Sequence, residues 1–218
     1  MGSVIRVSQQ APSRSVMDEV VATLAFGGVV VVPTDSVYGI ACAATPGNMG
    51  HERIFAIKKR DRAQTLPWLV AKASDLDTYA RYLPDYALRL AMRYWPGALT
   101  LVVHASDAVP QEYRAVNGTI ALRCPNSPLV RKLVQALGAP LATTSANTHG
   151  EAAAASGESV EPGIVEAVDL TLDAGPAPVG IASTIVNATG ELPVVLREGA
   201  IPVPEIMSCI GAEGTTGM

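Results

Sequence analysis

The run GGVVVV at residues 27–32, stopped by PTDSVYG at 33–39, is the feature that most narrows what this chain can fold into. β-Branched side chains are stiff at χ1 and suit a pleated surface. Four valines in succession put apolar groups on both faces, so Val29–Val32 reads as a strand covered on each side. Pro33 ends the run, and Thr34, Asp35, Ser36 and Tyr38 present polar groups before Gly39 turns the chain. Polar groups at the end of a core strand are either turn chemistry or a site.

The remaining punctuation places that strand among helices. SVMDEVVATLAFGG, GHERIFAIKKR, SDLDTYARYL, PDYALRLAMRYW and NSPLVRKLVQALG carry helical spacing or capping residues, the last with Asn126 or Ser127 as cap and Gly138 as stop. LPWLVAK, ALTLVVHA, GTIALRCP, APLATTSAN, VDLTLD, STIVNA and PVVLRE read as strands, and the tail PVPEIMSCIGAEGTTGM as one weak helix that then frays. Interleaved elements predict an α/β or α+β fold around a twisted mixed sheet. At 218 residues, without repeats or a convincing linker, one domain spanning 1–218 is expected, with its core at about 12–205 and a flexible tail at about 211–218.

Composition limits the chemistry. A net charge of −4 exerts no global pull on nucleic acid or anionic membrane, so any basic site must be local. Cys42, Cys124 and Cys209 are far apart and never in a C-x-x-C pair, which argues against disulfides or a zinc site and fits a reducing cytoplasm. No secretory signal begins the chain, and no stretch approaches the roughly 18 apolar residues of a membrane span. Dinucleotide, P-loop, zincin and nucleophile-elbow motifs are missing, and His51, His104 and His149 read as scattered surface or turn residues.

Polar clusters at strand ends remain: PTDSVYG, KKRDR (58–62), TIALR, TTSAN, STIVN and LREGA. A two-residue period puts Thr119, Ala121 and Arg123 on one side of their strand, and aligns Ser145 with Asn147 if that strand persists. Each cluster alone has an ordinary reading as a turn, a strand preference or a helix-dipole complement. Together, Lys58, Arg60, Arg123 and Arg197 with several hydroxyls suit one polyanionic small ligand, such as a triphosphate beside a carboxylate.

At this point the chain resembles a known family. GGVVVVPTDSVYGIA, IFAIKKRD, YWPGALTLVV, IALRCP, PLATTSAN and STIVN…VLREGAI occur in the order found in YrdC-like threonylcarbamoyl-AMP synthases, across about residues 16–202. The resemblance implies a twisted mixed parallel/antiparallel sheet flanked by helices, with a basic concave cavity. It implies the first step of threonylcarbamoyladenosine formation at tRNA position 37, in which L-threonine, bicarbonate (or CO2) and ATP give threonylcarbamoyl-AMP and pyrophosphate. The family's K-x-R and S-x-N motifs fall on Lys58, Arg60, Ser145 and Asn147, the implied catalytic set. Threonine binding is implied for Ser36, Arg123, Ser145 and Ser183. ATP binding is implied for Lys58, Arg60, Gln64, Thr119, Asn147, Ser156 and Arg197. ATP is a substrate that carries Mg2+ with it, and no protein metal site is implied. The implied partners are a separate threonylcarbamoyl transferase complex and tRNA, with no membrane and a cytoplasmic location.

The chain departs from the family pattern in several places. Ser36 stands where threonine is commoner, Gln64 for an asparagine, and Leu69 where some relatives carry a threonine-contacting histidine. Asn187 replaces an aspartate, Glu198 a proline, and the length matches the short form. The alternatives left open are a double-stranded-RNA or tRNA-binding module, a degenerate ATP or threonine-binding regulator, and the carbamate-adenylating domain of hydrogenase maturation.

Overall fold

A computed structural model describes residues 3–148 and 150–211; His149 and all but the first residue of the tail expected at about 211–218 lie outside them. In chain order the elements are β1 (Ser3–Arg6), α1 (Arg14–Ala25), β2 (Val30–Val32), β3 (Gly39–Ala43), α2 (Met49–Lys58) and β4 (Trp68–Leu69). There follow α3 (Leu76–Tyr79), β5 (Ala80–Arg81), α4 (Asp85–Tyr94), β6 (Leu99–Ala105), β7 (Thr119–Arg123) and α5 (Pro128–Leu137). The chain continues through β8 (Leu141–Ser145), α6 (Pro162–Ala167), β9 (Leu170–Asp173), β10 (Thr184–Asn187), β11 (Val194–Arg197) and α7 (Val203–Cys209).

All strands join one mixed sheet in the order β1-β9-β2-β3-β8-β4-β7-β6-β10-β11, with β5 beside β6. Pairing is parallel at β1–β9, β9–β2, β4–β7 and β6–β10, and antiparallel elsewhere.

The valine run feeds two cores by strand alternation. Val29 and Val31 join Ile40, Trp68, Leu99 and Ile120 on one face. Val30 and Val32 join Leu24 of α1 and Leu129 and Leu133 of α5 on the other. All four are completely buried, and each contributes about 1.5–3 kcal/mol of apolar transfer before entropy is counted.

The two faces are not covered equally, and this positions the site. The core under α1 and α5 takes residues from β9, β2, β3, β8 and β4 but none from β7, β6, β10 or β11. Ile120 and Leu122 of β7, Leu99 and Leu101 of β6, and Val186 of β10 all point into the opposite core. By alternation Thr119, Ala121, Arg123, Thr100 and Ile185 face the side that α1 and α5 leave open.

Several expectations are corrected. SDLDTYARYL is not one helix. A single α-turn ends at Tyr79 because Ala80 and Arg81 pair with Ala105 and His104 of β6, and Tyr82 then takes a left-handed φ of 54°. β3 was not foreseen: GIACA is poor in β-branched residues, yet all five are buried between β2 and β8. Ser127 is the cap of α5, its Oγ accepting from the Val130 N–H at 3.4 Å. His51 is no surface residue: it is 7% exposed and packs its ring against Phe55 and Tyr113, with centroids at 5.1 and 4.4 Å.

Candidate active-site cleft

A cleft of about 380 Å³ opens on the uncovered half of that face and is lined by Arg60, Arg123 and Arg197 together with Ser36, Ser145, Asn147 and Ser183. Strand alternation explains how separate segments meet there. Thr143 and Ser145 of β8, Leu69 of β4, Arg123 of β7, Thr100 of β6 and Ile185 of β10 share one side of the sheet and all line the cleft. Gly39 sits opposite Ser145 in the β3–β8 ladder. A Cβ at Gly39 would lie 2.7 Å from Thr143 Oγ1, so only glycine lets the two strands close at this wall.

Arg123 is the most constrained of the three arginines. Its Nη2 donates to Asp35 Oδ1 at 2.6 Å, its Nη1 to Ser36 Oγ at 2.6 Å and its Nε to the Gly97 carbonyl at 2.9 Å. The Arg123 and Asp35 side chains are 7% and 5% exposed, and Asp35 Oδ1 also accepts from the Asn126 N–H at 3.0 Å. Burial pulls the guanidinium's pKa down while Asp35 pushes it back up. PTDSVYG is thus both turn and site. Thr34 Oγ1 donates to the Val37 carbonyl at 2.6 Å and accepts from the Ser36 N–H at 3.1 Å, folding the loop so that Ser36 faces Arg123. Tyr38 braces the loop from below, its hydroxyl joining Gly175 and Ala174 at 2.7 and 2.9 Å.

The other two arginines are held by neutral acceptors. Arg60 donates through Nε to the Gln64 carbonyl at 3.0 Å, through Nη1 to Thr144 Oγ1 at 3.2 Å and through Nη2 to the Thr65 carbonyl at 3.3 Å. Arg197 donates to the Ser183 carbonyl at 2.7 Å, and Ser183 Oγ lies 2.9 Å from Thr100 Oγ1. Burial lowers the pKa of both guanidinium groups. Glu198 is exposed and forms no ion pair with Arg197 among the described residues.

Four of the expected site residues stand elsewhere. Lys58 is 3% exposed and lies behind the cleft wall, not in it. Its ammonium donates to the Ser145 carbonyl at 2.7 Å, to the Asn147 carbonyl, and to Asn147 Oδ1 at 3.2 Å. Burial, then Arg60, pulls its pKa down to about 8, with Glu161 opposing. Gln64 is exposed and serves Arg60 through its backbone carbonyl, not its amide. Thr119 shares the open face, but four residues of strand set it roughly 13 Å from Arg123, and its hydroxyl bonds Asn117 Oδ1 at 2.8 Å. Ser156 spends its Oγ capping the short turn Gly157–Ser159, where it accepts from the Ser159 N–H at 3.2 Å. Conversely, Thr34, Thr100, Thr144 and Glu151 line the cleft without having been singled out as site residues. Thr100 had a signal: it is the polar break in the apolar run ALTLVV.

Comparisons with known proteins identify the family and the fold. Residues 22–199 match the Sua5/YciO/YrdC family, described as "Telomere recombination". The threonylcarbamoyl-AMP synthase of Pyrococcus abyssi is 34% identical over 185 residues, covering 85% of this chain and 54% of that protein. The structure of Pyrococcus abyssi Sua5 complexed with L-threonine superposes with a TM-score of 0.89 at 31% identity, over 95% of this chain and 61% of that one. Escherichia coli YciO superposes with a TM-score of 0.85 at 28% identity, over 94% of this chain and all of that one. The chain therefore spans about half of the Pyrococcus protein it matches and the full length of YciO. With a family match across most of its length and a fold to go with it, this chain belongs to the Sua5/YciO/YrdC family.

Proposed function

We propose that this chain is a threonylcarbamoyl-AMP synthase, joining L-threonine, bicarbonate or CO2, and ATP to give threonylcarbamoyl-AMP and pyrophosphate. The observation that carries the reading is the convergence of Arg60, Arg123 and Arg197, far apart in sequence, on one cleft of about 380 Å³ that also holds the Ser36 and Ser183 hydroxyls. A planar guanidinium matches a carboxylate, so Arg123 takes the threonine α-carboxylate beside Ser36 and Ser183. The neutral threonine amine adds to CO2 and loses a proton to solvent; starting from bicarbonate, that proton leaves instead in the one water released. The resulting carbamate oxygen then attacks the α-phosphorus of ATP, the bond to the β-phosphate oxygen breaks, and pyrophosphate leaves.

Enclosure keeps the short-lived carbamate from water. Arg60 and Arg197 offset the charge that builds on the phosphates, and Ser145 and Asn147 position the nucleotide. Glu151 brings a carboxylate to the cleft lining, and this reading assigns it no proton transfer, because the reaction is governed by positioning. Mg2+ carried in with the nucleotide would reduce the charge on its phosphates. The adenylate is a reactive mixed anhydride, consumed by a separate transferase that acts on tRNA adenosine 37 in the cytoplasm. No helix among the described residues is long and apolar enough to cross a membrane.

Pyrophosphate release tests the reading. The protein is incubated with ATP, Mg2+, bicarbonate and each amino acid in turn. Release should require both threonine and bicarbonate and be lost in Arg60→Ala and Arg123→Ala. Release indifferent to threonine defeats the proposal.

A further inference from the structure

The cation assigned to the substrate carboxylate already has a carboxylate of its own. Arg123 Nη2 and Asp35 Oδ1 are 2.6 Å apart, with both side chains more than nine-tenths buried. Nη1 and Nε are occupied by Ser36 Oγ and the Gly97 carbonyl, which leaves two of the five guanidinium N–H groups for a ligand. Asp35 is itself held from behind by the Asn126 N–H at 3.0 Å and is not part of the cleft lining. A bound amino acid would therefore place a second carboxylate on a cation whose charge is already balanced.

We propose that Asp35 is a positioning residue and resident counter-ion: it fixes the Arg123 guanidinium and holds down the affinity for an amino-acid carboxylate, so that substrate and product leave readily. The inference rests on the reading of Arg123 as the carboxylate clamp. A merely structural Asp35 would only lose ligand affinity when altered; a counter-ion gives the opposite sign. Asp35→Asn keeps an oxygen that accepts from both Arg123 and Asn126 while removing the charge. Like charges flanking one guanidinium in a nearly dry site repel strongly, so their separation should show in binding.

L-Threonine binding is measured by calorimetry without ATP on the wild type, Asp35→Asn and Asp35→Glu, and melting temperatures are recorded for Asp35→Ala with and without sodium formate. Asp35→Asn should bind threonine about tenfold tighter, Asp35→Glu should bind like the wild type, and formate should stabilise Asp35→Ala by several degrees more than it does the wild type. A variant that folds only with formate or threonine present gives the same support. Unchanged or weaker threonine binding by folded Asp35→Asn overturns the proposal, as does the absence of a formate effect on Asp35→Ala. If no protein binds threonine but formate still rescues Asp35→Ala, the threonine assignment fails and the counter-ion assignment stands.

Discussion

Replacing Lys58 with methionine separates two roles that the sequence cannot tell apart. If Lys58 touches the nucleotide, its loss harms chemistry and leaves folding alone. If it anchors the cleft wall, its loss harms folding first. The ammonium donates to the Ser145 carbonyl, the Asn147 carbonyl and Asn147 Oδ1, and its removal leaves these acceptors buried with a thioether. Hydrogen bonds from a charged donor contribute about 1.5–3 kcal/mol each, so three contribute roughly 4–9 kcal/mol. Burying the charge costs part of this: a pKa pulled from 10.5 down to about 8 corresponds to roughly 3 kcal/mol. A net loss of about 1–6 kcal/mol follows. At about 2–4 °C per kcal/mol for a domain of this size, the melting temperature should fall by roughly 2–24 °C. Differential scanning calorimetry at pH 7 reads it directly. An unchanged melting temperature with abolished pyrophosphate release would refute the anchoring role and return Lys58 to the substrate.

The same lysine predicts a pH dependence. Its folded pKa lies below its unfolded value, so between pH 8 and 10.5 the unfolded chain holds a proton that the folded chain has released, and stability from this site rises with pH across that window. Urea melts of wild type and Lys58→Met at pH 7.5 and 10 should show the gap between them widen by about 2–3 kcal/mol; a constant gap refutes it. Gly39→Ala drives a methyl to 2.7 Å from Thr143 Oγ1 and should cost about 1–3 kcal/mol in chemical denaturation, whereas Gly163→Ala in α6, with open space around it, should cost nothing. Thr100→Val removes the 2.9 Å bond to Ser183 Oγ and should raise the KM for threonine about fivefold, worth about 1 kcal/mol, with the KM for ATP unchanged in the pyrophosphate assay.

What could be read from the sequence was what depends on neighbours along the chain. TIALR announced a strand with Thr119, Ala121 and Arg123 on one side, and the structure puts the alternate residues Ile120 and Leu122 in a core on the other. NSPLVRKLVQALG carried its own start and stop, and α5 runs Pro128–Leu137 between Ser127 and a left-handed Gly138. What stayed hidden depends on contacts across the sheet. GIACA has little strand preference of its own and is a strand because β2 and β8 pair with it on either side. Asp35 and Arg123 are 88 residues apart, and nothing local marks them as a pair. Lys58 reads as a phosphate ligand in the sequence, where charge carries no record of the carbonyls that its ammonium meets in the fold. Thr119 met the alternation rule and still missed the cleft, since alternation fixes the side of a strand and not the distance along it.

Under the proposed function, the way each cation is held gives a reason why one cleft would serve two unlike anions. Arg60 and Arg197 rest on carbonyls and a hydroxyl, neutral acceptors that orient a guanidinium without cancelling its charge. Arg123 rests on a carboxylate that does cancel it. Charge compensation is therefore graded: among the described residues Arg60 and Arg197 have no ion-pair partner, whereas Arg123 has Asp35. A polyphosphate passing through a crowded, highly charged transition state needs uncompensated positive charge, which water exclusion makes more effective. A single carboxylate that must be oriented, carried through the reaction unchanged and released with the product needs geometry more than attraction, because uniform tight binding would slow departure without lowering the barrier. Exchanging the two arrangements should fail in both directions: a neutral acceptor behind Arg123 would trap the amino acid, and a carboxylate behind Arg60 or Arg197 would repel the nucleotide.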